Sequence, residues 1–215
     1  MSLLTEQADY VFDSADSAGD ALDHRHFGQF IPEGSKPGAM AAAVYVAHRV
    51  LPLDHANFGL IPRHTVQAAE AFQKRAEQFA RETADHVHAI VPFPPDSNLV
   101  CLALNPRGNR DLARANAFLQ RIHARLNSDP AQPIQIKQFF ASTTSIRPAV
   151  LGLADMHRIL DALGIDPATM AEEGGADRLF ILRHTLMNPY LIDHENRISF
   201  IDRYFQYLKT CVEHA

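Results

Sequence analysis

Val87-His88-Ala89-Ile90-Val91-Pro92-Phe93-Pro94-Pro95-Asp96-Ser97-Asn98-Leu99-Val100-Cys101-Leu102-Ala103-Leu104 is the stretch that decides the fold class. Two β-rich runs, Val87 to Phe93 and Leu99 to Leu104, flank Pro94-Pro95-Asp96-Ser97-Asn98, whose residues are those that turns require. The spacing predicts an antiparallel pair of strands. On both sides the period changes from two to that of a helix. His64 to Ala84 repeats Val66, Ala69, Phe72, Ala76, Phe79 and Ala80 with charges between them. Asn109 through Leu126 repeats Leu112, Ala115, Phe118, Leu119, Ile122 and Leu126. Each reads as an amphipathic helix with one face to bury.

Further along, Ile134 to Thr143 alternates in part as a strand, and Ala154 to Leu163 reads as a helix ended by Gly164. Leu179 to Met187 reads as a last strand halted by Asn188-Pro189, and His194 to Cys211 as a helix with Ile198, Ile201, Phe205 and Leu208 on one face. The expected fold is mixed α/β (α+β), a small, mostly antiparallel sheet covered by helices. Toward the amino terminus, Met1 to Gln29 is acidic and loop-like. Ala39 to Leu51 reads as a helix with a face of small residues (Ala39, Ala41, Ala42, Ala43, Ala47), closed by Pro52 and suited to burial. Residues 1–62 therefore look like the tail of something larger, and residues 63–215 like a compact domain.

With 47% hydrophobic and 21% charged residues, the chain of 215 has enough apolar material for a core. A formal charge of −5, with Lys and Arg scattered along the sequence, argues against nucleic acid as a partner. No apolar run approaches bilayer length and the opening residues are acidic, so the expected setting is cytoplasmic, with no membrane partner. Cys101 and Cys211 form no CxxC pair and read as plain thiols. His24-x-His26 and His86-x-His88 each put two imidazoles on one side of an extended segment. Neither pair has a third ligand in sequence, so no metal site is assigned. No Gly-x-Ser-x-Gly elbow is present for Ser-His-Asp hydrolysis.

Glu33-Gly34-Ser35-Lys36-Pro37-Gly38-Ala39, continuing through Ala43-Val44-Tyr45 to His48-Arg49-Val50-Leu51-Pro52-Leu53, resembles the group II pyridoxal-phosphate decarboxylases, especially the bacterial tyrosine decarboxylase branch. Asn57-Phe58-Gly59, the segment from Gly108-Asn109 to Asn116, and Leu182-Arg183 followed by Met187-Asn188-Pro189-Tyr190 extend the likeness in the family's order. The resemblance implies the carboxy-terminal half of a type I pyridoxal-phosphate enzyme. Such an enzyme is a homodimer whose large domain binds pyridoxal 5'-phosphate while a small carboxy-terminal domain closes over it. The family's Asn-x-His-Lys motif is absent here, as are its pyridine-nitrogen aspartate and its ring-stacking histidine. The missing amino-terminal half would hold all three, and this chain alone would be inactive.

The resemblance also implies roles for four residues. Arg25-His26-Phe27 looks like the triplet that follows a loop tyrosine, the proton donor, so the tyrosine's place falls on His24. The competing role is a solvated loop histidine, the favoured one in a chain with 12 histidines. Arg183 stands where some relatives place an arginine that meets the substrate carboxylate, and an ion pair with a nearby acid is the alternative. Gly34 and Ser35 fall near the cofactor phosphate of the partner subunit, with N-capping as the other role for Ser35. The expected substrate is an amino acid, aromatic rather than acidic. The rival of a different class is a stand-alone, non-catalytic chain that keeps the fold and works by association.

Overall fold

The structure, a computed structural model, describes residues 37–127, 133–171, 176–193 and 195–215. The chain divides into two compact units, Met1–Leu53 and Asp54–Ala215. In the first, α1 (Gly38–Val50) follows Pro37, whose fixed φ and missing N–H suit a helix start, and ends as the Leu51 N–H bonds the Ala47 carbonyl. The sequence expects this helix to be buried, yet none of its residues is, and Val50 is 79% exposed. Alanine, valine and methionine surround it on all sides, so no single apolar stripe selects one partner face.

The second unit begins with α2 (Leu60–Glu82), one turn earlier than its apolar period suggests. Pro62 fits that first turn, and the Thr65 hydroxyl donates to the Pro62 carbonyl. Phe72, Ala76 and Phe79 turn inward. The strands β1 (Val87–Ile90) and β2 (Leu99–Pro106) pair antiparallel as the sequence expects, from Val87↔Pro106 to Ile90↔Ala103. Their connection is longer than a tight turn. Pro92, Pro94 and Pro95 donate no ladder bonds, so the chain leaves the sheet after Ile90. On its other edge, the amino-terminal half of β2 pairs with β4 (Leu179–Thr185), from Leu99↔Thr185 to Leu102↔Leu182.

The helix α3 (Leu112–Leu126) starts three residues later than Asn109, because the Asp111 carboxylate caps it by accepting from the Arg114 N–H. Asn109 instead donates to the side chain of the buried Asn105. The strand expected over Ile134 to Thr143 is displaced. Ile134–Ile136 forms a 3-10 turn directly after Pro133, and β3 is Ser142–Ile146. This edge strand is Ser-Thr-Thr-Ser-Ile, which lacks the apolar alternation that marks a half-buried strand. A short helix absent from the sequence reading, α4 (Pro148–Leu151), precedes α5 (Leu153–Ala162). Gly164, at φ +73, ends α5, and a Cβ there would meet His88 Nε2 at 3.4 Å.

The last expected helix also starts later. A small hairpin, β5 (Ile192–Asp193) with β6 (Ile198–Ser199), occupies its first turns. Arg197 takes a left-handed φ of 54°, and the Asp193 carboxylate accepts the Asn196 N–H. Only then does Ser199 cap α6 (Phe200–Glu213) through the Asp202 N–H.

The sheet runs β1-β2-β4-β3 with every pairing antiparallel, so the second unit is the mixed α/β domain that the sequence predicts. Strand alternation sorts its core into two layers. Val100, Leu102, Leu104 and Leu182 pack with α2, α6 and the inner face of α3, where Phe79 and Phe205 are fully buried. Ala103, Leu179 and Ile181, on the other parity, pack with Met156, Ile159 and Leu160 of α5. Among the described residues no helix is long and apolar enough to cross a membrane.

Candidate functional site

The carboxy-terminal end of β4 forms part of a cleft of about 440 Å³, closed on other sides by residues of α2, α6 and the segment before β3. Its walls are largely apolar and aromatic, with Phe139, Phe140, Phe200 and Tyr204 among them. Two adjacent residues of β4, Arg183 and His184, line it, and alternation sends their side chains to opposite faces of the sheet.

His184 is 6% exposed and lies under the Phe72 ring, with ring centroids 4.6 Å apart. Its Nδ1 is 3.2 Å from the Val100 carbonyl oxygen, and its Nε2 is 2.6 Å from the Tyr204 hydroxyl. A carbonyl can only accept, so Nδ1 carries the proton, and Nε2 accepts the bond that the Tyr204 O–H donates. Burial disfavours the imidazolium and pushes the pKa of His184 down to about 4, with the Val100 bond opposing weakly. Burial likewise raises the Tyr204 phenol far above its ordinary range. The pair is therefore a neutral fastening between β2, β4 and α6.

Arg183 has the opposite surroundings. It shares a parity with Leu179 and Ile181, each 1% exposed, but lies beyond the cover of α5 and is itself exposed. Cys101 on β2 and Ser142 on β3 stand directly across from it, so the three form one row over the sheet. The Arg183 Nε–H donates to Ser142 Oγ at 3.2 Å, and the Ser142 hydroxyl donates to the Arg183 carbonyl at 3.0 Å. Among the described residues no carboxylate reaches ion-pair distance of Arg183. Burial raises the pKa of the Cys101 thiol, an effect that Arg183 opposes, and the thiol offers no counter-charge while protonated.

Arg183 is thus the one sequence-derived site residue that the structure places. His24, Gly34 and Ser35 lie outside the described residues, as does the His24-x-His26 pair. On β1, His88 takes Arg107 as its partner, Nε2 to Nη1 3.2 Å, and burial together with that cation lowers its pKa. Among the described residues no group of three or more His, Cys, Asp or Glu side chains is gathered. Sequence reading missed Ser142, His184 and Tyr204. Tyr204 stands one turn from Ile201 and Leu208 on the face that the period of α6 marks out, and parity along β4 puts His184 with Leu182. Ser142 carries no such signal.

A second cleft, of about 640 Å³, lies at the start of α3 and is lined by Arg110, Arg114 and Arg121 together with Asp111 and Asp166. Two of the helix-start donors there are already used. Asp111 accepts the Arg114 N–H, and Thr169 Oγ1 accepts the Leu112 N–H.

The fit to pyridoxal phosphate is poor among the described residues. Of Lys74, Lys137 and Lys209, none lines either cleft, and the Lys137 ammonium donates to the Arg125 carbonyl. No described side chain is placed to form a Schiff base.

Comparison with known proteins matches residues 68–214 to the family described as tyrosine decarboxylase, C-terminal. An L-tyrosine decarboxylase of Enterococcus faecium is 29% identical over 193 residues, covering 89% of this chain and 30% of the relative. One from Enterococcus faecalis (strain ATCC 700802 / V583) is 28% identical over 171 residues, covering 78% and 26%. One from Levilactobacillus brevis is 27% identical over 177 residues, covering 82% and 28%. The chain spans less than a third of the length of these curated relatives.

Proposed function

Since the chain belongs to the tyrosine decarboxylase C-terminal family, we propose that it is the carboxy-terminal part of a pyridoxal-phosphate-dependent decarboxylase acting on an aromatic amino acid such as tyrosine. The observation that carries this reading is the match over residues 68–214, which falls on proteins named L-tyrosine decarboxylase. A stand-alone association protein is not favoured by such relatives.

In this reading residues 1–62 are the last loop and helix of a cofactor-binding domain, and residues 63–215 are the small domain that closes on it. The apolar surround of α1 supports this division, because such a helix is stable in water only when covered. When bound, the cofactor supplies the electron sink that makes loss of carbon dioxide feasible. The lysine that holds it belongs to the missing amino-terminal half, and the described residues do not replace it. This chain's own contribution is to recognise and enclose the substrate. Arg183 takes its carboxylate, an assignment supported by an exposed guanidinium with neutral neighbours on both sides. His24 is the candidate proton donor, and Gly34 and Ser35 are the candidate contacts to the phosphate in the partner subunit. The homodimer is carried by the family resemblance, and the cytoplasmic setting by composition alone.

The test is carbon dioxide release by the native full-length protein reconstituted with pyridoxal phosphate, set beside the 215-residue chain under the same conditions. Release from tyrosine by the former and none by the latter is the expected outcome. No release from any amino acid by the full-length protein would refute the decarboxylase reading.

A further inference from the structure

The row Cys101–Arg183–Ser142 contains an arrangement that the proposed function does not use. Arg183 has five N–H donors in a rigid planar fork. One of them, on Nε, is held by Ser142 Oγ at 3.2 Å, while the same hydroxyl donates its own proton to the Arg183 carbonyl at 3.0 Å. Ser142 therefore accepts from the side chain and donates to the main chain of one residue, which fixes the plane of the guanidinium against its own strand. The two residues are a register pair, Ser142↔Arg183, so the ladder between β3 and β4 places the hydroxyl beside the root of the arginine side chain. The remaining four donors, on the two η nitrogens, have no partner among the described residues. The flanking groups are a hydroxyl and a thiol whose pKa burial raises, and among the described residues no carboxylate lies within ion-pair distance.

We propose that Ser142 is the positioning residue of an anion receptor on this sheet face. It occupies the Nε side of Arg183 and so leaves the end-on pair of η nitrogens as the fork that takes a carboxylate. This rests on the reading of Arg183 as the carboxylate-binding residue and adds to it the direction of approach. A fork already held by Nε loses less rotamer freedom when the anion arrives, which is preorganisation in the usual sense. A side-on carboxylate, bridging Nε and one η nitrogen, is excluded while Ser142 holds its place.

The test uses the native full-length protein reconstituted with pyridoxal phosphate and labelled with ¹⁵N on arginine, and the phenolic carboxylate 4-hydroxyphenylpropionate as the probe. Without probe, the Arg183 Nε–H, identified by its loss in Arg183→Lys, is expected to exchange with water more slowly than other exposed arginines. Slow exchange should vanish in Ser142→Ala and persist in Ser142→Thr, which keeps the hydroxyl. With probe, Ser142→Ala should weaken binding about fivefold, the scale of one hydrogen bond, Ser142→Thr should bind like the unaltered protein, and Arg183→Ala should abolish binding. If Arg183→Ala binds as well as the unaltered protein, or the unaltered protein binds no probe, the carboxylate reading of Arg183 falls. If Arg183→Ala loses the probe but Ser142→Ala changes neither exchange nor affinity, that reading stands and the positioning role of Ser142 is overturned.

Discussion

Arg183 and His184 are neighbours on one strand, and the two faces of the sheet give them opposite physics. His184 looks into the layer of α2 and α6, where both ring nitrogens are satisfied and the neutral form is enforced by burial. Arg183 looks onto the open end of the other face, where a serine holds one side of its fork and the η nitrogens have no carboxylate among the described residues. The buried face satisfies its polar groups with one another and so contributes to stability. The open face leaves donors unused, the condition for binding something from outside. This asymmetry makes distinct demands on substitution, and each can be measured.

The largest effect belongs deepest in the buried face. Phe205 is fully buried and packs on Phe72 and Phe79 with ring centroids 4.8 and 5.4 Å away. Phe205→Ala should cost about 3–5 kcal/mol of stability, read as a shift of the urea midpoint. A loss under about 1 kcal/mol would mean that this layer is not the core.

Next comes the pH dependence fixed by His184. Its folded pKa, about 4, lies below the ordinary 6.5, so the unfolded chain binds a proton across that window while the folded chain does not. The stabilisation is present above pH 6.5 and is lost as pH falls toward 4. Between pH 7 and pH 5 the loss should be about 2 kcal/mol, because protonating the unfolded chain alone favours it by about 1.4 kcal/mol for each pH step below 6.5. His184→Leu should flatten this part of the profile. An unchanged slope in that variant would assign the effect to other groups.

Of similar size is Tyr204→Phe, which removes the donor to His184 Nε2 and leaves a buried acceptor unpaired. The expected cost is about 1–3 kcal/mol by chemical denaturation at pH 7. The smallest effect lies on the open face. Arg183→Ala should change stability by no more than about 0.5 kcal/mol, because an exposed guanidinium with one neutral hydrogen bond holds little of the fold together. A large destabilisation there would erase the contrast between the two faces and argue for a structural Arg183.

Much of this architecture is legible in the order of the amino acids. The helices α2 and α3 and the pairing of β1 with β2 follow from apolar spacing, since each element buries one face and the residues on it recur with the element's own period. Where one face is not apolar, the reading fails. The polar edge strand β3 leaves no alternation to find, and Pro133 turns the apolar residues after it into a 3-10 turn. The β5–β6 hairpin hides the start of α6 because two-residue strands have no period at all. For the site, Arg183 stands out as a charge at an apolar parity. Ser142, 41 residues away, and Tyr204, 20 residues from His184, meet their partners only through the sheet register and helix docking, which local sequence does not encode.

The central claim is that this chain is one part of a longer decarboxylase, and the intact mass of the native polypeptide in its source cells tests it most directly. Peptides spanning Leu99 to Arg125 would identify the protein. A mass well above 23.9 kDa is expected, with the lysine-bearing half in the same polypeptide. A mass equal to 23.9 kDa would contradict the account, because a chain of that size lacks the lysine motif that the chemistry requires.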